Sequence, residues 1–417
     1  MRTDIDRLMK EKNIDAILIT GAAQHNPYMV YLTGGGHITK ADLIKKRGQE
    51  PVLFHGPMER DEAAKTGLLT QSYSKYPWET LLKEANGDPI RATALRYQRI
   101  FRDFQITGGK LALYGRAELS NHFGVFALLQ RAMPDLEFVT TSEDDVLSMA
   151  MATKDEEEVL RIREIGKVTL AVVEEVADFL SKHALNNQVL IKPDGNPLTV
   201  LDVKRYINRL LVERGAENPE DTIFAIGRDA AVPHSRGNPD DVIRQGETIV
   251  FDIFPCEASG GYFHDFTRTW SLGFAPEKVH ELYAQVRSVY EKITSSLKLN
   301  ETFPVYQRNA CELFEQMGHP TPLSHPGTEE GYVHTIGHGV GLNIHEKPFC
   351  WQTDSTNNTL QPGSIITIEP GLYYPHQNLG IRLENTLLAY PDGCFEPLVD
   401  YPMELVVPMR NSSRVPK

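Results

Sequence analysis

Cysteine is scarce in this chain, with four in 417 residues. Cys256, Cys311, Cys350 and Cys394 lie far apart and form no CxxC pair. That argues against a disulfide framework, a thiolate zinc cluster and a dithiol redox motif. Positive charge is also in deficit: Lys+Arg number 43 against 56 Asp+Glu, a formal net of −13. Phosphate binding draws on a Lys/Arg surplus, so nucleic acid is not expected as the main partner. No uncharged apolar run is long enough to cross a bilayer, so no membrane partner is expected. No GxGxxG follows a strand and no GxxxxGK[ST] occurs, so a nucleotide site has no support. The opening MRTDIDRLMKEKN reads as a charged helix rather than the apolar stretch of a signal peptide. The expectation is a reduced, cytoplasmic protein.

What is present has the balance of a folded protein, 41% hydrophobic and 24% charged. The length exceeds what one core usually supports, which predicts two domains. Over residues 1–150 helical and strand patterns alternate, an α/β layout. Its strands are Asp15–Thr20, Pro51–His55, Lys110–Tyr114 and Leu136–Val139, with a helix over Leu119–Met133. A boundary falls near 145–155. Thr153 and Glu156 match a capping box opening a helix to about Lys182, with Val159, Leu160, Ile162, Ile165, Val168, Val172, Val173, Val176 and Leu180 on its apolar side. Further helices are predicted over Lys204–Arg214 and from Pro276 to Leu297. Strands are predicted over Thr222–Ile226, Thr248–Phe254, Phe266–Leu272, Ser364–Glu369 and Ile381–Ala389. The second domain, 151–410, is therefore read as α+β, and 411–417 as a frayed polar tail.

Four carboxylates stand where surface carboxylates should not. Asp252, Asp265, Glu369 and Glu384 each interrupt an apolar or β-branched strand pattern. A buried carboxylate needs a cation, a metal or several hydrogen bonds. For Glu384 alone, a salt bridge to Arg382 is the plainer reading. Four cases in one domain shift the balance, because converging carboxylates repel unless cations hold them. The run His334-Thr-Ile-Gly-His338-Gly-Val-Gly-Leu-Asn-Ile-His345 adds three imidazoles. Glycines 337, 339 and 341 argue against a helix and allow close backbone approach, so this is not the helical HExxH zinc arrangement. One imidazole with four carboxylates suits two divalent ions better than one tetrahedral zinc, and Mn, Co, Fe and Zn are all compatible.

With these motifs the chain resembles the M24 metallopeptidases, whose pita-bread fold is shared by methionine aminopeptidase, Xaa-Pro aminopeptidase, prolidase and creatinase. The family's ligand order is Asp, Asp, His, Glu, Glu, and Asp252, Asp265, His338, Glu369 and Glu384 follow it in matching local motifs. These are DI…HDFTRT, HxxxHxxGLxxHE, TIEPG and IRLEN. Residues 1–150 resemble the N-terminal domain that creatinase, prolidase and Xaa-Pro aminopeptidase carry, with Tyr31-Leu-Thr-Gly34 matching a "YLTG" stretch. Two departures stand out. The Asp252–Asp265 interval of 13 is two longer than is common, which reads as a longer hairpin turn within Pro255–Gly261. Asn385 stands where many members have Asp, a change expected to tune metal binding.

The resemblance implies an α/β N-terminal domain joined to an α+β pita-bread catalytic domain. It implies two divalent metal ions held by Asp252, Asp265, His338, Glu369 and Glu384. Glu369 would also shuttle a proton to the leaving amine. His234 and His345 would stabilise the tetrahedral intermediate and position substrate. Arg382 would orient the carboxylate ligands, while His334 reads equally as a pocket residue or a structural histidine. The implied activity is hydrolysis of Xaa-Pro bonds in small peptides, as an aminopeptidase or a dipeptidase, by a homodimer. A creatinase-like hydrolase of small amides and a non-catalytic binding protein on the same fold are the rivals. Their relatives lose ligands that all persist here.

Overall fold

The computed structural model describes residues 4–140, 144–351 and 356–410. The expected polar tail, 411–417, lies outside the described residues. The chain divides into two compact units, Met1–Met151 with Ser259–Gly261, and Ala152–Ala258 with Tyr262–Lys417.

The first unit is built on a six-stranded mixed sheet. Its spatial order is Leu69–Ser72, Val52–His55, Ala41–Lys46, Ala16–Gly21, Gly109–Arg116 and Leu136–Val139. Ala16–Gly21 is buried at every position, as befits a central strand covered on both faces. It pairs antiparallel with Ala41–Lys46 and parallel with Gly109–Arg116. Helix Pro89–Asp103 covers the sheet, with proline in its first turn and Asp88 accepting from the Ile90 and Arg91 amides. The YLTG stretch closes helix Pro27–Thr33, with Gly34 in the left-handed cap (φ +78). One buried carboxylate here escaped the sequence reading. Asp42 accepts from the hydroxyls of Thr20 (2.6 Å), Tyr97 (2.7 Å) and Tyr73 (2.5 Å), which satisfies it without a metal.

The second unit opens with helix Glu156–Ser181. Its cap is Asp155, not Thr153: the reciprocal capping box joins Asp155 to Glu158. The Lys154 amide donates to the Gly363 carbonyl (2.8 Å), and the helix begins two residues later. Leu160, assigned to the apolar side, is 54% exposed. Helix Val200–Glu213 begins four residues before the expected Lys204, because Thr199 and Asp202 form a second capping box. Pro276 caps helix Glu277–Ser296.

Two sheets carry the site. One orders Ile223–Ile226, Thr248–Ile253, Phe266–Leu272 and Val406–Val407. The other orders Glu346–Phe349, His338–Gly339, Ile365–Ile368, Asn385–Ala389 and Phe395–Pro397. The expected strand Ile381–Ala389 is two strands. Leu379–Arg382 pairs with Gly371–Tyr374, whereas Asn385–Ala389 pairs with Ile365–Ile368. The chain changes partner at Leu383–Glu384. Along Thr248–Ile253 the residues alternate. Ile249, Phe251 and Ile253 enter a core shared with Phe224, Trp270 and the helices at 156–213, so Asp252 faces the other way.

Candidate metal centre

Strand register places the first candidate ligands. Asp252 lies opposite Thr267 in the antiparallel pair. Asp265, two residues before Thr267, shares that face by alternation. Glu384 arrives through an isolated bridge to Thr267, at the point where its chain leaves one strand for the next. Glu369 is the first residue after Ile365–Ile368. Of the four carboxylates only Asp252 thus lies within a strand; Asp265, Glu369 and Glu384 sit at strand ends, where the ladder no longer dictates the backbone.

His338 is buried and comes within 3.5 Å of Asp265 and 3.4 Å of Glu369 through Nε2. Its Nδ1 donates to the Gly339 carbonyl (3.1 Å), so Nε2 carries the lone pair facing the carboxylates. Burial, then the nearby His345, holds the His338 pKa down to about 3, so the ring is neutral, as a metal ligand must be. The glycines around it are required. A Cβ on Gly337 would fall 2.0 Å from the Thr367 carbonyl oxygen, and one on Gly341 2.1 Å from a Glu346 carboxylate oxygen.

Arg382 serves Asp252 rather than Glu384, its neighbour in sequence. Its Nη2 donates to Asp252 Oδ2 (2.6 Å) and its Nη1 to the Tyr373 hydroxyl (2.9 Å). Tyr373 donates in turn to His334 Nε2 (2.8 Å), since His334 Nδ1 donates to the Thr335 carbonyl (2.7 Å). His334 is therefore bound into a relay running from Asp252 to the cavity wall. Burial opposes the Arg382 charge, but Tyr373 and the surrounding carboxylates outweigh it and raise its pKa.

The donor set fits divalent cations. One ligand atom each from Asp265, His338 and Glu384 lie within 4.8 Å of one another. Asp252 Oδ1, Asp265 Oδ1 and Glu384 Oε1 are buried and meet no hydrogen-bond partner among the described residues. Burial pushes Asp265 and Glu384 well above the usual carboxylate range, and repulsion within the cluster adds to it. Burial also lifts Glu369 to about 8, with Arg382 opposing and Asp252 adding. Left alone, such a cluster would protonate; dications invert that preference.

The cluster floors a cavity of about 620 Å³, within the range of small-ligand sites. His234 and His345 line it and are exposed, the His345 ring lying 4.2 Å from that of His338. Ile223, Phe254, Ile344 and Trp351 supply apolar wall.

Several supporting residues had not been singled out. Thr267 donates to Glu384 Oε2 (2.6 Å), Thr386 to the Asp265 carbonyl (2.7 Å), and Thr269 to the Arg382 carbonyl (2.9 Å). Their signal was present as threonines alternating with bulky residues beside these candidate ligands. Lys154 pairs with Glu346 (2.6 Å), both buried, next to His345. The two-residue excess between Asp252 and Asp265 forms a turn over 257–262, with Ser259 and Gly260 at positive φ, and Cys256–Glu257 pairs with Ala216–Glu217.

Comparison with known proteins gives three findings. The family model of metallopeptidase family M24 matches residues 161–391. The chain is similar to an Xaa-Pro dipeptidase of Pyrococcus horikoshii, 26% identical over 394 residues and covering 93% of this chain and 94% of that protein. Among solved structures it is similar to the X-Pro aminopeptidase of Thermotoga maritima, with TM-score 0.72, 22% identity, and coverage of 97% of this chain and 99% of the other. At that identity the structural likeness bears on the fold.

Proposed function

The chain belongs to metallopeptidase family M24, and from that premise we propose that it hydrolyses Xaa-Pro peptide bonds, using two divalent ions held by Asp252, Asp265, His338, Glu369 and Glu384. The observation that carries this reading is the meeting of those five side chains, three with orphaned buried oxygens, at the floor of one cavity. Its fold is the two-domain pita-bread architecture. The proposed domains are 1–150 and 151–410.

Bound divalent ions supply a water of lowered pKa and polarise the scissile carbonyl. The chain's own residues do the rest. His338 stays neutral and presents Nε2. Arg382, anchored on Tyr373 and the Pro233 carbonyl, fixes the Asp252 carboxylate. Glu369 is less buried than the other three carboxylates and lines the cavity, so it can carry a proton to the departing proline nitrogen. His234 and His345, on the cavity wall, donate hydrogen bonds to the oxygen on which charge develops. Proline's ring removes the amide N–H of the scissile bond, which sets this substrate apart from ordinary peptides. We place the protein in the cytoplasm as a homodimer; its described cysteines are all free thiols, in keeping with a reducing setting.

The test is a panel of Xaa-Pro dipeptides and Xaa-Pro-Yaa tripeptides with Mn or Co supplied. Cleavage before proline is expected, with about two ions per chain at saturation. Asp265→Asn and Glu384→Gln should each lose metal and activity. A fully loaded protein that cuts no Xaa-Pro bond refutes the substrate assignment.

A further inference from the structure

With the four carboxylates and Arg382 committed to the metal centre, two fully charged side chains remain on the cavity wall, Glu220 and Arg236. Both are exposed. Neither meets an ion-pair partner among the described residues, and they do not pair with each other.

Their backbones are held in place. Lys204 Nζ donates to the Asp221 carboxylate (2.5 Å) and to the Arg236 carbonyl (3.5 Å), tying the two segments together. Asp221 takes a left-handed backbone (φ +65), its side chain engaged by Lys204 while Glu220 lines the cavity. Behind Arg236, Gly237 is at φ +81, where a Cβ would fall 2.2 Å from the Phe224 carbonyl oxygen. The loop is therefore pressed onto the strand beside that of Asp252. Two opposite, unpartnered charges thus stand on fixed backbone around one small cavity whose lining also includes the apolar Ile223, Phe254, Ile344 and Trp351.

We propose, resting on the Xaa-Pro reading, that these charges recognise the two ends of a free dipeptide: Arg236 takes the carboxylate on proline, and Glu220 the ammonium of the first residue. A wall with one free charge of each sign complements a zwitterion. Guanidinium matches carboxylate with paired N–H donors, which gives orientation as well as attraction. In a dipeptide the carboxylate sits on the proline Cα, next to the scissile nitrogen, and the cavity is of a size to hold both termini. In a longer peptide that carboxylate is replaced by a neutral amide, and Arg236 loses its partner. The structure therefore points to a dipeptidase rather than an aminopeptidase acting on longer chains.

The experiment compares kcat/KM for an Xaa-Pro dipeptide and its C-terminal amide in the wild type, Arg236→Gln and Arg236→Lys, each checked for metal content. The wild type should favour the free acid. Arg236→Gln should shrink the acid-to-amide ratio about tenfold, the order of a charge-assisted hydrogen bond, and Arg236→Lys should restore most of it. Glu220→Gln should likewise shrink the preference for a substrate with a free ammonium over its des-amino analogue. An acid-to-amide ratio unchanged in Arg236→Gln overturns the inference while the Xaa-Pro reading stands. A wild type that cuts neither the dipeptide nor the amide overturns both.

Discussion

Substituting Gly166 by alanine tests how closely the Asp265 position is set by packing. In an open helix the change should stabilise, since glycine costs about 1 kcal/mol relative to alanine. Here the helix faces His264, which is 1% exposed. A Cβ on Gly166 would lie 2.8 Å from His264 Cδ2 and 3.0 Å from Nε2. The ring is enclosed, so it cannot yield without moving its neighbours, one of which in sequence is Asp265. Overpacking of this kind costs about 1–3 kcal/mol. Set against the propensity gain, the net should fall between no change and a loss of about 2 kcal/mol. Displacing Asp265 should also weaken metal binding, so the loaded protein should lose more stability than the metal-free one. Urea unfolding with saturating Mn and with chelator measures both quantities. The double variant Gly166→Ala/His264→Ala removes the clash, and the coupling between the two changes should reach about 1 kcal/mol. A Gly166→Ala protein that is more stable than wild type, with unaltered metal affinity and additive behaviour in the double variant, would refute the reasoning.

Metal-free protein should lose stability as pH rises above about 7.5, beyond the range in which the buried His264, His334 and His338, with their pKa values held down, add stability on raising pH. Asp265, Glu369 and Glu384 have folded pKa values above their unfolded ones, so the folded state binds more protons. That contribution is complete below about pH 4 and is lost on raising pH, for Glu369 through about 8. Chelated protein should show a lower urea midpoint at about pH 9 than at about pH 7.5, and saturating metal should reduce the difference; a midpoint that rises over that interval contradicts this. Lys154→Met leaves Glu346 buried without its cation (the pair is 2.6 Å apart), which should cost about 3–5 kcal/mol. Because Glu346 adjoins His345, kcat/KM should fall as well, and adding Glu346→Gln should recover part of the stability. Thermal melts of the two variants decide it.

The candidate ligands were legible because each is a local anomaly. An Asp within Ile249-Val-Phe-Asp252-Ile-Phe254 contradicts its flanks, and no partner structure is needed to see that. The helix at 277–296 and the strand at 248–253 were equally local, being written in periodicity and turn residues. What could not be read depends on distant pairing. Thr153/Glu156 and Asp155/Glu158 both satisfy the capping-box spacing, and only the second forms in the fold. Arg382 and Glu384 looked like partners on one strand, but the chain changes sheets between them, and Arg382 reaches Asp252, 130 residues earlier. The Lys154–Glu346 pair spans 192 residues. Pairings of that kind are set by the assembled fold and leave no spacing in the sequence.

A substitution at Asn385 tests whether a neutral residue at one such junction sets metal affinity. Arg268 is fully buried beside it, and its acceptors are all uncharged: the carbonyls of Thr267, Glu384, Tyr401 and Pro402, and Asn385 Oδ1 at 2.9 Å. Burial draws its pKa down to about 10. On its other side Asn385 Nδ2 donates to the Tyr290 hydroxyl (2.7 Å). In Asn385→Asp the carboxylate would keep the contact to Arg268 as an ion pair, and the Tyr290 hydroxyl can turn to donate, so neither hydrogen bond is lost. The new charge would sit one residue from Glu384. Without metal it repels a cluster already short of cations; with dications bound it is attracted to them. The substitution should therefore favour the loaded state, tightening metal binding about tenfold, the usual scale for groups that support ligands. Competition with a chelator at fixed pH measures this directly. Equal or weaker binding in Asn385→Asp would mean that Arg268 already neutralises the added charge and that its own isolation has no bearing on the metal centre.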